Sequence, residues 1–227
     1  MTKPELIVFD LAGTTVEDNY DVHRCLQEAM SEFGLSVSRE EANDVMGIPK
    51  PVAIEKLLRL RNSDANESFI QEIHATFIKK MTDFYRNDSG VKEKLGVSDT
   101  FWELKKANVK IAVDTGFDRV ITSALLERMG WTRRGLVDVS VTSDEVQRGR
   151  PFPDLVFKAM QLTGVTESRA VAKVGDTASD IGGGKSAGCG WVIGITSGAF
   201  SRDQLERENP THLVKAIPEL LFIFNLA

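Results

Sequence analysis

The sequence predicts an α/β fold: a doubly wound, Rossmann-like parallel sheet with an all-helical domain inserted after the first strand. Two observations predict it. Short apolar runs alternate with helical stretches, as is typical of strands that a parallel sheet buries on both faces. Between the first run and the second, apolar residues recur only at helical spacing. The runs lie at residues 6–9, 110–114, 136–141, 170–175 and 190–195.

The first predicted strand ends at Asp10, in a turn of small residues, and the helical stretch follows at once. We expect this stretch, residues 16–87, to form a helical cap domain, with residues 1–15 and 88–227 forming the core. A chain of 227 residues can build one such core with a modest insertion. The helical spacing is carried by Val22, Leu26, Met30 and Phe33, by Ile54, Leu57 and Leu58, and by Ile70, Ile73, Phe77 and Met81.

Composition narrows the class of partner. The formal net charge of −5 gives no electrostatic reason to bind nucleic acid or an anionic membrane, so we expect a small ligand. Cys25 and Cys189 are far apart and outside any metal or redox motif, which argues against a disulfide framework. No apolar run reaches the length of a membrane span and no signal-peptide pattern is present, which predicts a cytoplasmic protein.

Polar residues stand where several of the predicted strands end. In an open parallel sheet, ligands bind beyond the carboxyl ends of the strands. Two carboxylates there, from Asp10 and Asp176, would repel each other unless a divalent cation lay between them, and hard oxygen ligands favour Mg²⁺. The hydroxyl of Thr115, the backbone amides of the Gly13 turn and the guanidinium of Arg150 would bind phosphoryl oxygens. The polar residues at the strand ends therefore predict a phosphoryl-transfer site.

Each of these residues also has an ordinary structural interpretation. An aspartate after a strand is commonly a turn or helix cap, Thr115 with Gly116 can be a simple turn, and Arg150 can be a solvated surface charge. Only the ordered combination at successive strand ends is specific.

That order resembles the four motifs of the haloacid dehalogenase superfamily, with a helical cap inserted after the first, and the resemblance covers nearly the whole chain. It implies that Asp10 is a nucleophile that forms an aspartyl-phosphate, and that Arg150 takes the place of the usual motif-three lysine. It implies Mg²⁺ held by Asp10, the backbone carbonyl of Ala12 and Asp176. The implied phosphate- or substrate-binding residues are Gly13, Thr14, Gly47, Thr115, Gly116 and Arg150, with Thr177 and Asp180 supporting the acidic fourth motif.

Ala12 departs from the common pattern of this superfamily. Most of its phosphatases carry an aspartate at that position, which protonates the leaving group and later activates water. The Ala12 to Thr15 segment and the arginine and prolines from Arg150 to Pro153 are instead similar to the phosphonoacetaldehyde hydrolase branch, which cleaves a carbon–phosphorus bond. In that branch a cap lysine forms a Schiff base with the substrate aldehyde, so the departing carbon needs no acid.

Lys50, in the segment Met46 to Lys50, matches the lysine of that branch, and Gly47 would let its loop approach the core. Two alternatives stay open. Many caps of the superfamily place a cation here to bind substrate anions, and Ala53 stands where the branch has a histidine. His23, His74 and His212 are expected to be surface or packed histidines.

The sequence therefore predicts a Mg²⁺-dependent hydrolase of a small phosphonate or phosphate, with phosphonoacetaldehyde or an analogue as the leading substrate. The alternatives are a small-molecule phosphomonoesterase, similar to phosphoglycolate phosphatase, and a phosphate-binding regulatory module. Cap helices such as the one around Val22 could pair in a homodimer.

Overall fold

A six-stranded sheet forms the centre of the molecule, which we describe from a computed structural model covering residues 3–63 and 65–226. The strands are β1 (Leu6–Asp10), β2 (Lys110–Thr115), β3 (Val139–Thr142), β4 (Val171–Gly175), β5 (Trp191–Ile195) and β6 (His212–Val214). Their order across the sheet is β3-β2-β1-β4-β5-β6, and every pairing is parallel. The chain winds outward in one direction and then the other from β1, which confirms the predicted doubly wound fold.

Two strands differ from the sequence prediction. The prediction missed β6, a three-residue edge strand with one buried position, because so short a segment carries no periodic signal. The predicted run at 136–141 begins too early. Leu136 and Val137 are buried but precede β3, and the carboxylate of Asp138 accepts the backbone N–H of Ile111 at 2.8 Å. Buried apolar residues therefore extend beyond the segment that pairs with β2.

Between β1 and residue 88 the described chain forms four α-helices: α1 (Asp21–Ser31), α2 (Arg39–Asn43), α3 (Lys50–Leu60) and α4 (Glu67–Asn87). They occupy the stretch for which the spacing predicts helices, although Phe33 lies beyond the end of α1 and packs from the following turn. We call α1–α4 and their connections the helical segment. Its division from the rest of the chain as a separate cap domain, residues 16–87, stays a prediction.

Six further α-helices follow among the described residues: α5 (Val97–Lys106), α6 (Arg119–Met129), α7 (Asp154–Thr163), α8 (Ala178–Ser186), α9 (Arg202–Arg207) and α10 (Leu220–Ile223). Alternate residues of β1 pack on opposite faces of the sheet. Ile7 and Phe9 join a cluster that includes α5 and the helical segment, whereas Leu6 and Val8 join a second cluster with α7. Among the described residues, no helix combines the length and the apolar character needed to cross a membrane.

Candidate active site

The predicted site residues converge at the carboxyl edge of the sheet. Asp10 ends β1 and lies opposite Asp114 of β2 in the parallel register, and Asp176 follows the last residue of β4. A cavity opens here between this edge and the helical segment. The predicted residues that line it are Asp10, Ala12, Gly47, Lys50, Thr115, Gly116, Arg150, Asp176 and Thr177.

Gly13 and Thr14 lie against Asp176 and outside the lining of the cavity. Thr14 Oγ1 donates to Asp176 Oδ1 at 2.8 Å, and the backbone N–H of Ala199 donates to Asp176 Oδ2 at 2.6 Å. Gly13 has φ +85°, and a Cβ at this residue would overlap the Asp176 carboxylate. The turn after β1 thus fixes the orientation of Asp176, and a phosphate-binding role for Gly13 and Thr14 stays a prediction.

Arg150 forms ion pairs with both Asp10, at the end of β1, and Asp180, on α8. Its Nη2 donates to Asp10 Oδ1 at 2.8 Å, its Nη1 donates to Asp180, and the side chain is buried. The hydroxyl of Thr115 accepts the backbone N–H of Phe117 at 3.2 Å, which leaves its own proton free to be donated toward the cavity. Guanidinium and hydroxyl donors therefore lie on the side of the cavity where Asp10 stands, as binding of a phosphoryl group requires.

Lys173 is a buried cation at this edge of the sheet, and the sequence analysis assigned it no role. Its Nζ lies 2.6 Å from Asp114 Oδ1 and 2.8 Å from Asp180 Oδ1. The available signal was a charged residue in the middle of a buried apolar strand, since burial of a lysine without a partner is strongly unfavourable. Although burial opposes it, Asp114 and then Asp180 hold the pKa of Lys173 above its ordinary value. Asp180 belongs to this network, beneath the cavity.

Removing Lys173 would leave two buried carboxylates without their shared partner. We expect Lys173→Met to lower the free energy of unfolding by about 3 kcal/mol or more, because breaking a buried pair strands the opposite charge. Urea denaturation measures this change, with Lys79→Met, an exposed position on α4, as the control. Equal stability of the two variants would show that the ion pairs do not hold the sheet edge together.

The buried charges of the site do not balance through ion pairs. Burial raises the pKa of Asp10 to about 8, despite Arg150, and raises the pKa of Asp176 to about 6, with repulsion from Asp180 adding to the shift. With all four carboxylates ionised, the described buried charges would sum to −2, because four acids lie beside two cations: the acids are Asp10, Asp114, Asp176 and Asp180, and the cations are Arg150 and Lys173. A divalent cation would supply the missing charge.

Two sets of oxygen ligands could hold that cation, and both include Asp10. The carboxylates of Asp10, Asp114 and Asp180 have oxygens within 4.8 Å of one another. However, Asp114 and Asp180 already share an ion pair with Lys173, and Asp180 also pairs with Arg150. Arg150 and then Lys173 hold the pKa of Asp180 at about 2 against the effect of burial. Asp176 forms no ion pair with any described residue and lines the cavity beside Asp10 and Ala12, so the predicted set fits a metal better.

Lys50 stands at the first position of α3 with its side chain buried. Its Nζ lies 5.5 Å from the ring centroid of Phe117 and 5.7 Å from that of Phe77, and it has no hydrogen bond or ion pair within the described ranges. Burial, followed by repulsion from Arg150, lowers the pKa of Lys50 to about 8. An unpaired amine close to neutrality is suited to nucleophilic attack.

The loop that carries Lys50 touches the sheet edge directly. Gly47 has φ +77°, and a Cβ at this residue would overlap the hydroxyl of Thr177. Thr177 in turn caps α8 and donates to Asp180 Oδ2 at 2.6 Å. The glycine thus permits the close approach that the sequence predicts, and this contact brings Lys50 over the cavity.

The histidines do not reach the cavity. His23 Nε2 lies 3.1 Å from Asn43 Oδ1 in a buried position, and His74 Nε2 lies 3.3 Å from Asp118, where burial and then Lys50 lower the pKa of His74 to about 4. His212 is exposed in β6, and Ala53 is buried on α3. None of these residues lines the cavity beside Lys50.

Comparison with known proteins identifies the family of hydrolases to which this chain belongs. The chain belongs to the haloacid dehalogenase-like hydrolases, whose family model matches residues 7–193. Within that class, phosphonoacetaldehyde hydrolase from Bacillus cereus is 29% identical, over 95% of this chain and 86% of the relative.

Solved structures agree in fold. The phosphonoacetaldehyde hydrolase-like protein from Oleispira antarctica superimposes with a TM-score of 0.85 at 20% identity, covering 98% of this chain and 91% of that one. A predicted phosphoglycolate phosphatase from Haemophilus somnus gives a TM-score of 0.79 at 20% identity, covering 98% of both chains. The predicted fold and the prediction of a hydrolase of this superfamily are therefore confirmed.

Proposed function

We propose that this hydrolase cleaves the carbon–phosphorus bond of phosphonoacetaldehyde or a close analogue, with Asp10 as the nucleophile and Lys50 as a Schiff-base lysine. One observation carries the proposal: the buried amine of Lys50, which has no ion-pair partner in the part of the chain that the structure describes, lines the same cavity as Asp10 and Arg150. Simple binding of a phosphate ester does not require an amine whose pKa is lowered to about 8. The similarity to phosphonoacetaldehyde hydrolase supports the same chemistry.

The proposed reaction begins at the aldehyde. The neutral amine of Lys50 adds to the carbonyl carbon, and loss of water leaves a protonated imine. A carboxylate oxygen of Asp10 then attacks phosphorus, the carbon–phosphorus bond breaks, and its electron pair moves into the imine to give an enamine. Arg150 and Thr115 would bind the phosphoryl oxygens during this transfer. Protonation and hydrolysis of the enamine release acetaldehyde, and water releases phosphate from Asp10.

Ala12 is consistent with this route. A phosphate ester releases an alkoxide, which an acid at residue 12 would normally protonate. An enamine accepts the electron pair without such an acid, so the methyl group of Ala12 does not hinder cleavage of the carbon–phosphorus bond.

The second candidate is a phosphomonoesterase acting on a small anionic substrate such as phosphoglycolate. Lys50 favours it in one respect, because a protonated amine beside Arg150 would bind a second anionic group of the substrate. In this case the leaving alkoxide would have to take its proton from a group other than Ala12.

Trapping distinguishes the two candidates. The protein with Mg²⁺ is incubated with phosphonoacetaldehyde and borohydride, and the peptides are analysed by mass spectrometry, while turnover is compared with a panel of small phosphate esters. We expect a reduced adduct on Lys50 and preferential release of phosphate from the phosphonate. Turnover of phosphate esters with no adduct on Lys50 would sink the proposal and leave the phosphomonoesterase.

Mg²⁺ is the proposed cofactor, held by Asp10, the Ala12 carbonyl and Asp176, where it would supply positive charge to the phosphoryl group. The pKa values of about 8 and 6 for Asp10 and Asp176 make its binding depend on pH, because both carboxylates must lose their protons. We expect Mg²⁺ to bind at least about tenfold more weakly at pH 6 than at pH 8.

Calorimetric titration at the two pH values measures this dependence. Asp176→Asn should remove most of the binding and Asp114→Asn should not, since Asp114 is paired with Lys173. The reverse order of the two variants would assign the metal to the cluster of Asp10, Asp114 and Asp180.

A further inference from the structure

Imine formation at Lys50 needs a group that moves protons. The amine must lose a proton before it attacks, and the hydroxyl of the resulting carbinolamine must gain one before it leaves as water. The group must therefore reach the same cavity as the amine. The described titratable residues that line it are Asp10, Asp18, Lys50, Arg150 and Asp176.

The other carboxylates of that set are already committed. Asp10 is the proposed nucleophile and pairs with Arg150, and Asp176 is the proposed metal ligand, held by Thr14 and Ala199. The guanidinium of Arg150 stays protonated. Asp18 is thus left as the group that can exchange a proton beside Lys50.

Asp18 lies in the connection between the turn after β1 and helix α1. Its Oδ1 accepts the backbone N–H groups of Asp21 at 2.7 Å and Val22 at 3.2 Å, which fixes the side chain against the start of the helix. Its Oδ2 receives no hydrogen bond and joins no ion pair among residues 3–63 and 65–226. One oxygen therefore anchors the carboxylate and the other is free.

We propose that Asp18 is the catalytic residue that takes the proton from Lys50 and returns it to the departing hydroxyl, an inference that rests on the proposed function. Asp18 accepts a proton from the ammonium of Lys50, and the free amine forms the carbon–nitrogen bond with the aldehyde. A proton passes from nitrogen to oxygen within the adduct. The Asp18 carboxyl then protonates the hydroxyl, the carbon–oxygen bond breaks, and water leaves. Asp18 ends as a carboxylate, the proton that it took leaves in the water, and the imine nitrogen keeps the last of the three ammonium hydrogens together with the positive charge.

The surrounding charges favour this exchange. Burial raises the pKa of Asp18 and lowers the pKa of Lys50, which brings the two groups closer to equal proton affinity. The other ionisable groups that influence Asp18 or are influenced by it are His23 and Asp21 of α1, Tyr85 of α4, and Lys94 before α5. Burial keeps His23 and Tyr85 neutral near pH 7 by lowering and raising their pKa values respectively, and Lys94 is hydrogen-bonded to Ser197.

Asp18→Asn separates this role from a structural one. An asparagine oxygen can still accept the two N–H groups at the start of α1, so the variant keeps the cap and loses only the exchangeable proton. Asp21→Asn, at the first residue of α1 and outside the cavity lining, is the matched control. Asp18→Ser, which also caps helices, serves as a second variant if the asparagine protein unfolds at a lower temperature.

The measurement is the rate at which phosphonoacetaldehyde and borohydride modify Lys50 in the Mg²⁺-loaded protein between pH 5 and pH 9. We expect Asp18→Asn to slow adduct formation by about 100-fold at pH 7 and to leave the final yield of adduct unchanged, while the acidic limb of the pH profile loses the part due to Asp18 and keeps the part due to protonation of Lys50. An unchanged rate and pH profile in Asp18→Asn would overturn the role of Asp18 alone. Absence of any adduct in the unsubstituted protein would overturn the proposed function, and this inference with it.

Discussion

Asp10→Asn is expected to abolish phosphate release, with a fall in kcat on the order of 10⁶-fold, because a neutral amide cannot form the proposed acyl-phosphate bond. The change is nearly isosteric. It also removes a carboxylate whose ionised form is destabilised by burial, since burial raises the pKa of Asp10 to about 8. The variant should consequently fold. Thermal unfolding and a phosphate-release assay, run side by side, test both statements.

The sign of the stability effect follows from the same pKa. Asp10 binds its proton more tightly in the folded protein than the ordinary value of 3.8 allows, so its contribution to stability is complete below that value and is lost as the pH rises through about 8. In the metal-free protein, Asp10→Asn should therefore raise the unfolding temperature at pH 8 relative to the unsubstituted protein, and much less so at pH 4.

Asp203→Asn, at an exposed position of α9, is the control for Asp10→Asn and should change neither property. Phosphate release by Asp10→Asn at more than about one hundredth of the normal rate would exclude Asp10 as the nucleophile, because loss of a nucleophile costs far more than this.

The strand ends were predictable from sequence because two simple patterns coincide there. A buried parallel strand requires a continuous apolar run, and a ligand site requires polar residues directly after it, so Asp10, Thr115 and Asp176 stand out without any structure. The helices of the helical segment were predictable because each buries one face, which places apolar residues between Val22 and Met81 at helical spacing.

Side-chain direction and long-range pairing were not predictable in this way. The hydroxyl of Thr14 donates to Asp176, a partner 162 residues away that the sequence does not reveal. Lys173 is a charged residue within an apolar strand, and its ion-pair partners, Asp114 and Asp180, are evident only in the folded sheet. Asp18 accepts the backbone N–H groups of Asp21 and Val22 at the start of α1, and only the fold shows that it also borders the cavity with Lys50. Such relations depend on register and packing between distant segments.

Lys50→Arg has the second large expected effect. Arginine keeps the positive charge and most of the side-chain length, but its guanidinium holds its proton throughout the accessible pH range and forms no imine under these conditions. Cleavage of phosphonoacetaldehyde should fall by at least about 10⁴-fold, the loss expected when a covalent group is removed from a reaction that has no alternative electron sink. The borohydride adduct should disappear with it.

The same variant decides between the two candidate functions. If Lys50 serves only to bind a substrate anion, an arginine should bind that anion as well, and turnover of phosphate esters would survive Lys50→Arg within about tenfold. If Lys50 forms the imine, cleavage of the phosphonate is lost while Asp10 keeps its environment, so Mg²⁺ binding should persist. Lys56→Arg, exposed on the same helix α3, controls for the effect of the guanidinium itself. Retained cleavage of phosphonoacetaldehyde by Lys50→Arg would mean that the carbon–phosphorus bond breaks without an imine, and the lowered pKa of Lys50 would then have no chemical role.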